Sequence, residues 1–166
     1  PMRSSAASDV YKRQHERKGN TDAASKCFVS ALRIDPSYVK AGHRLLDLAE
    51  QTGNVEGLLL ARRSLVREEN GREQLATLLV ELAEGEAKIL DNMQGLPPTI
   101  PEGPELAKEA VELCGDNITL KGRALSASGQ HTEAVKCWKK IIETDKTNPE
   151  SWIGLARALE AAGDIN

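Results

Sequence analysis

One stretch of the sequence occurs twice, 110 residues apart, and this duplication constrains the fold more than any other feature. Segment Ala24–Phe28 (ASKCF) corresponds to Ala134–Trp138 (AVKCW), and Asp35 corresponds to Asp145 without a gap. In both copies the apolar residues lie three or four positions apart, which places them on one face of a helix. The chain therefore contains equivalent helices, and their shared residues predict equivalent packing.

Turn signals divide the helices at a regular spacing. Pro149 marks the start of a helix, because proline has no N–H to leave unpaired in the first turn, and the asparagine before it is a suitable cap. Gly19 and Gly53 are 34 residues apart, as are Gly129 and Gly163, and each is expected to close a helix before a polar turn. The sequence thus predicts helix–turn–helix units with a period of 34 residues.

The period and the repeated residues resemble the tetratricopeptide repeat family. Its pattern W-x2-L-G-x2-Y for the first helix of a unit is met best from Trp152 onward, and its pattern A-x3-F for the second helix is met by both copies of the duplicated stretch. The resemblance implies an all-α fold, an α-solenoid of antiparallel helix–turn–helix repeats forming a right-handed superhelix. It assigns packing between helices to Ala24, Phe28, Ala31, Leu45, Ala134, Trp138, Trp152, Leu155, Ala156 and Leu159.

The family frame divides the chain into a leader and a repeat domain. Residues 1–14 have no helical apolar stripe, and we expect a disordered leader, either an artefact of sequence assembly or an ordinary flexible N-terminus. Residues 15–166 are expected to form one repeat domain that is a fragment of a longer array, because its ends lack capping helices. Its parts are a partial unit 15–38, a unit 39–72, an irregular unit 73–114 with a proline-rich insertion, a unit 115–148 and a partial unit 149–166.

The irregular unit holds the least regular sequence. Residues 72–93 carry apolar residues at helical spacing, which predicts one helix of about six turns with a bend at Gly85. A proline-rich loop (95–104) follows, and Pro104 begins a short helix whose buried side runs from Leu106 to Cys114. The loop is either a tolerated insertion, or Leu96–Ile100 docks a partner as an extended segment.

Three positions depart from the family pattern. The unit 39–72 has Leu46 where a small residue is expected and Arg62 where an aromatic residue is expected. In the unit 115–148, Lys121 stands at a position that usually carries a large apolar side chain. We therefore expect the register of that helix to shift by one residue.

The composition favours helices and limits the possible functions. Ala and Leu dominate an apolar fraction of 40%, and residues of this kind are strong helix formers. Lys and Arg number 22 against 25 Asp and Glu, a balance that argues against direct nucleic-acid binding. No run of about 18 apolar residues occurs, so we expect no membrane span. Three cysteines without C-x2-C spacing suit a reducing compartment, which predicts an intracellular, cytoplasmic protein.

No catalytic or metal-binding motif is evident in the sequence. The three histidines do not share ligand spacing with the cysteines or with each other, and no G-x-S-x-G, glycine-rich phosphate loop or H-E-x-x-H occurs. The carboxylates are interspersed with Lys and Arg along helix faces. We expect that the protein is not an enzyme and that it uses no cofactor, metal ion or small-molecule substrate.

The resemblance implies a protein–protein interaction scaffold that binds a partner peptide or helix on a concave face, which the first helix of each unit lines. Lys40 and Arg44 lie four apart, as in family members that clamp a terminal carboxylate, but the asparagines of those clamps are missing here. An alternative is an architectural spacer without its own ligand in a larger scaffold, such as an RNA-processing or glycosyl-transfer machinery. The predicted partner-binding residues are Lys40, His43, Arg44, Asp47, Arg123 and Arg157.

Overall fold

The computed structural model describes residues 2–163, with side chains from residue 6 onward, and this part of the chain contains helices and no strand. The all-α prediction is confirmed. Residue 1 and residues 164–166, where the predicted leader begins and the last partial unit ends, lie outside the described residues. The helices of the described part are α1 (Met2–Ile34), α2 (Val39–Thr52), α3 (Val55–Ser64), α4 (Gly71–Glu84), α5 (Gly103–Leu113), α6 (Ile118–Ala127), α7 (His131–Thr144) and α8 (Pro149–Gly163), with one 3₁₀ turn at Lys88–Leu90.

The helices form two compact units. The first unit is Pro1–Leu65 with α1 to α3, and the second is Val66–Asn166 with α4 to α8. In each unit consecutive helices pack against each other, and α6 also contacts α4 and α8. Packing of each helix on the next and on the next but one is the arrangement of an α-solenoid, so that prediction is confirmed within each unit.

The core of the first unit is built from the second half of α1 and from α2 and α3. Leu32, Leu45 and Ala61 contribute one side chain from each helix, and each is at most 1% exposed. Phe28 is half-buried and packs against this cluster. Helix α2 ends at Gly53, whose φ of 67° lies in the left-handed region that favours glycine. This turn directs α3 back along α2.

Helix α1 differs from the prediction for its first two-thirds. The sequence predicts a disordered leader and then a turn at Gly19–Asp22, but α1 is continuous from Met2 to Ile34. The hydroxyl of Thr21 donates to the carbonyl of Arg17 at 2.8 Å, and every side chain from Ala6 to Asn20 is exposed. A helix hairpin is stabilised by packing between its two helices. Because the leader offers no apolar stripe to pack on, and one glycine costs a helix only about 1 kcal/mol, the helix continues.

In the second unit three helices meet around Trp138 of α7, which is 4% exposed. Its indole ring lies against Gly122 of α6 and Gly154 of α8. A methyl group added to these glycines would lie 3.0 Å and 2.6 Å from the indole carbon Cε2. The indole N–H donates to Ser126 Oγ at 3.2 Å. The space for this large ring therefore comes from the missing side chains on both neighbouring helices.

The predicted six-turn helix of the irregular unit is wrong, because the structure divides it at Gly85. Helix α4 ends at Glu84, Gly85 has a φ of 72°, and its N–H donates to the carbonyls of Glu81 and Leu82. A left-handed glycine that satisfies the last carbonyls ends a helix rather than bending it. Leu90 is nevertheless buried in the 3₁₀ turn that follows, which explains why the apolar stripe continues past the end of α4.

The proline-rich loop returns the chain to α4. The N–H of Ile100 donates to the carbonyl of Pro97 at 2.9 Å, so this part of the loop is a turn. It differs from the extended conformation that was one of the two alternatives for Leu96–Ile100. At the end of the loop, a methyl group on Gly103 would lie 2.9 Å from the carbonyl oxygen of Ala83. The backbone of α5 therefore begins in direct contact with α4. On α5 the predicted side is the buried one: Leu106, Ala107, Ala110 and Cys114 are buried, and Val111 is half-buried.

Helix α6 keeps Lys121 out of the core. Leu120 is buried and Lys121 is exposed, so the apolar side chain one position earlier takes the core position. The cap is local: the side chain of Asn117 accepts from the N–H of Leu120 at 3.0 Å. The charge of Lys121 therefore stays in solvent, and the preceding Leu120 contributes to the core instead.

Helix α8 buries a different face from the one assigned to packing. Ser151 and Ala158 are buried, whereas Trp152 and Leu159 are 50% and 47% exposed and Ala156 is exposed as well. The assignment of Trp152, Ala156 and Leu159 to packing therefore differs from the structure. The reason is that α8 packs on α7 and α6, and no other described helix lies against its second apolar face.

The turn after each duplicated helix has the same hydrogen bonds in both copies. Asp35 Oδ1 accepts from the hydroxyl and the N–H of Ser37 at 2.8 Å and 3.0 Å, and Asp145 Oδ1 accepts from the hydroxyl and the N–H of Thr147 at 2.6 Å and 2.9 Å. The hydroxyl bond is the larger cause that lowers the pKa of each carboxyl, and the N–H bond adds to it. The duplication therefore extends to the structure of the turn.

Candidate partner-binding site

Helix α2 separates an apolar face from a polar one. Ala41, Leu45 and Ala49 are buried against α1 and α3. Positions 40, 43, 44 and 47 lie three or four apart, so the helix places them together on the opposite side. We call this surface the α2 face; its residues are Lys40, His43, Arg44 and Asp47, and all four are exposed.

The α2 face carries two Lys and Arg side chains next to a histidine and one carboxylate. Lys40 and Arg44 form no ion pair with any residue that the structure describes. The ion pair that α2 does make, between Glu50 and Arg62 at 4.0 Å, connects it to α3 and lies beyond these residues. The charges of Lys40 and Arg44 therefore remain available to a partner.

Arg123 of α6 already has a partner within the second unit. Its Nε and Nη2 donate to Glu84 Oε1 and Oε2 at 3.1 Å and 2.9 Å, a bidentate pair in which the side chains are 32% and 23% exposed. This hydrogen bonding is the largest cause that raises the pKa of Arg123. Bidentate pairs are the strong form of such contacts. Arg123 therefore joins α6 to α4, and an incoming carboxylate would have to compete with Glu84.

The remaining predicted residue, Arg157, is exposed on α8. Three other residues of α8, Glu150, Ile153 and Glu160, are exposed as well. The structure thus brings four predicted residues together on α2, while Arg123 and Arg157 belong to the second unit.

Two features of the second unit are missing from the sequence interpretation. The pairing of Glu84 with Arg123 spans 39 residues and has no signal in a single sequence. The contact of Gly122 with Trp138 does have one, because Gly122 falls on the glycine of the family pattern W-x2-L-G when the unit is counted from residue 115. Gly154 has no counterpart in that pattern.

The thiols offer little nucleophilic chemistry where they are buried. Cys114 donates to the carbonyl of Ala110 at 3.0 Å, and burial raises the pKa of its thiol to about 11. Burial also raises the pKa of Cys137, whereas Cys27 is exposed. A thiol that stays protonated at neutral pH is a poor nucleophile. The described residues contain no group of three or more His, Cys, Asp and Glu that could hold a metal ion.

The described helices do not have the character of membrane spans. None of them combines the length and the apolar character that crossing a membrane demands.

The tetratricopeptide repeat family model matches residues 15–38, which cover the second part of α1 and the turn into α2. No curated protein and no solved structure matches the chain. The matched segment contains the first copy of the duplicated stretch, and the second copy shares its residues and its turn. Within each of the two units the described helices also pack in succession, as repeats of this family do. Residues 15–38 therefore match a tetratricopeptide repeat, and the helices within each unit are arranged in keeping with such repeats.

Proposed function

We propose that the protein binds a protein partner through the α2 face. Tetratricopeptide repeats generally mediate protein–protein interaction, and such repeats bind on the extended surface of their stacked helices. The observation that carries the proposal is the pair Lys40 and Arg44: both side chains are exposed on one helix face and neither forms an ion pair with a described residue.

The charges of the α2 face suit a peptide with acidic side chains. Lys40 and Arg44 are separated by about 6 Å along the helix axis, at 1.5 Å per residue. Each offers a charge-assisted hydrogen bond to a carboxylate, and such contacts select partners by charge. Asp47, about two turns beyond Lys40 and one turn beyond His43, would attract a basic group and so orient the peptide along α2.

Within the second unit we propose Arg157 as a contact for the partner and assign Arg123 a supporting role. Arg157 is exposed on α8, whereas Arg123 is held by Glu84. Removal of Arg123 would disturb the connection between α4 and α6 in addition to any contact with a partner. A test of partner binding should therefore leave Arg123 unchanged.

The test is a pull-down from cell extract with the variant Lys40→Ala/Arg44→Ala. The matched control is Lys136→Ala/Lys140→Ala on α7, which also removes two exposed basic side chains four positions apart. We expect the α2 variant to lose specific partners that both the wild-type protein and the control retain. Circular dichroism would establish that both variants keep their helices.

Recovery of the same partners by both variants would contradict the proposal. In that case the architectural alternative gains support, and it predicts that a consensus repeat array of equal length replaces the chain without loss of assembly.

A further inference from the structure

The second half of α1 lines an open groove in the first unit that shares no residue with the α2 face. The groove encloses about 560 Å3 between α1 and the turn that joins α2 to α3. On α1 its residues lie at positions 22, 26, 29 and 33, which follow each other on one face of a helix. The lining residues that matter here are Asp22, Lys26, Val29 and Arg33 on α1, and Thr52 and Asn54 on the other wall.

Two basic side chains dominate the charge of this groove. Lys26 and Arg33 are exposed, and neither forms an ion pair with any residue in the described part of the chain. They lie seven residues apart, which corresponds to about 10.5 Å along the helix. The single carboxylate, Asp22, lies at one end, and the half-buried Val29 lies between the two cations along the helix.

Three of the neutral polar side chains in the walls form local hydrogen bonds. The hydroxyl of Ser30 donates to the carbonyl of Lys26 at 2.9 Å, and the hydroxyl of Thr52 donates to the carbonyl of Leu48 at 2.7 Å. Asn54 Oδ1 accepts from the N–H of Gly57 at 2.9 Å. These three side chains are therefore fixed by local bonds, and the two cations supply the charge that would attract a ligand.

We infer that this groove binds an acidic peptide segment in polyproline II conformation, with two carboxylates three residues apart. In that conformation the side chains repeat every three residues and the rise is about 3.1 Å per residue, so such carboxylates lie on the same side about 9 Å apart. The separation fits Lys26 and Arg33, whose long side chains cover the small difference. A β-strand would place residues three apart on opposite faces.

The same observations favour a peptide over a nucleic acid. Nucleic acids are bound through many phosphate contacts, whereas this groove offers two cations. Asp22 lies on the same helix face as both cations and would repel a continuous line of phosphates. An acidic peptide needs only two matched contacts and can place an apolar side chain on Val29.

Fluorescence anisotropy with the full chain tests the inference. The probe is a labelled twelve-residue proline-rich peptide with two glutamates three positions apart and a leucine between them. One control peptide carries glutamine at both positions, and a second carries the glutamates four positions apart. We expect the first probe to bind about 2- to 30-fold more tightly than the glutamine peptide, which is the range for two solvent-exposed ion pairs, and more tightly than the peptide with four-residue spacing.

Variants separate this groove from the α2 face. We expect Lys26→Ala/Arg33→Ala to weaken binding of the probe about 2- to 30-fold. Lys40→Ala/Arg44→Ala, with the same loss of charge elsewhere in the first unit, should leave it unchanged. All four side chains are exposed, so neither variant should impair folding.

Three results would overturn the inference: equal binding of the glutamine peptide, equal binding of the peptide with four-residue spacing, and unchanged affinity of Lys26→Ala/Arg33→Ala. A fourth arm uses a labelled DNA duplex of twelve base pairs. The inference would also be overturned if the duplex bound as tightly as the probe and if Lys26→Ala/Arg33→Ala abolished that binding.

Discussion

The two copies of the duplicated stretch have nearly the same residues and the same turn, but different surroundings. In the second copy Trp138 is buried between α6 and α8, and Ala134 is fully buried. In the first copy Phe28 and Ala24 are only half-buried. The difference lies in the helix that precedes each copy. Helix α6 ends at a turn and packs back on α7, whereas α1 runs straight through the position of the corresponding turn.

The comparison shows what a repeat motif determines by itself and what it takes from its neighbours. The Asp-x-Ser/Thr turn forms in both copies because all its hydrogen bonds are local. Burial of the aromatic residue requires a preceding helix with an apolar stripe, and only the second copy has one. The sequence of the motif therefore specifies its turn, while its packing depends on residues outside it.

The largest expected effect on stability comes from substitution of the aromatic residues themselves. Trp138→Ala should lower the free energy of unfolding by about 3–5 kcal/mol, because it empties a buried site between three helices. Phe28→Ala should cost clearly less, since its side chain is only half-buried. Urea denaturation followed by circular dichroism measures both values. Equal losses would contradict the distinction between the copies.

The next effect concerns the close contact of α8 with the indole. Gly154→Ala should destabilise the protein by about 1–3 kcal/mol, because the new methyl group would lie 2.6 Å from a ring carbon of Trp138. Gly163→Ala is the matched control, since nothing lies within 4 Å of its added methyl group. Urea denaturation compares the two variants, and a Gly154 variant as stable as the control would mean that α8 packs differently on Trp138.

A smaller change in stability tests whether α1 is continuous at Gly19 or turns there, because the two alternatives predict changes of opposite sign. Gly19→Ala should raise helix content and stabilise the helix by up to about 1 kcal/mol, because Gly19 lies inside a continuous helix with nothing within 4 Å of an added methyl group. If the chain turned at Gly19, as the family spacing predicts, the same change would destabilise the protein. Circular dichroism and urea denaturation decide between these outcomes.

The smallest effect should be the same in both copies. The lowered pKa values of Asp35 and Asp145 mean that folding favours the charged carboxylates. Their contribution to stability is present at neutral pH and is lost as the pH falls below the ordinary value of 3.8 and through the lowered pKa of each group. Titration of the two carboxyl carbons by NMR should give pKa values shifted in the same direction. A shift in only one copy would break the equivalence of the turns.

Much of this architecture could be predicted from the sequence where its causes are local. The cap of α8 is one example, because the side chain of Asn148 accepts from the N–H of Glu150 next to Pro149 as expected. The end of α2 at Gly53 is another. These features depend on residues within one or two turns of each other.

The features that were missed depend on distant partners or on their absence. The predicted turn at Gly19 does not form, because no apolar helix precedes it. Gly85 ends α4, although the apolar stripe in the sequence continues to Leu90. For the candidate site, the exposure of Lys40 and Arg44 follows from the amphipathic pattern of α2. The ion pair between Arg123 and Glu84 could not be predicted, because the two residues come together only through the packing of α4 on α6.

The central claim is that the preceding helix, and not the motif, buries the aromatic residue, and tryptophan quenching tests it most directly. Three variants with one tryptophan each are compared: Trp152→Phe, Trp138→Phe, and Phe28→Trp in the background Trp138→Phe/Trp152→Phe. With acrylamide as quencher, we predict strong protection in the first variant, which retains Trp138, and clearly weaker protection in the other two. Equal protection of positions 28 and 138 in folded protein would contradict the claim.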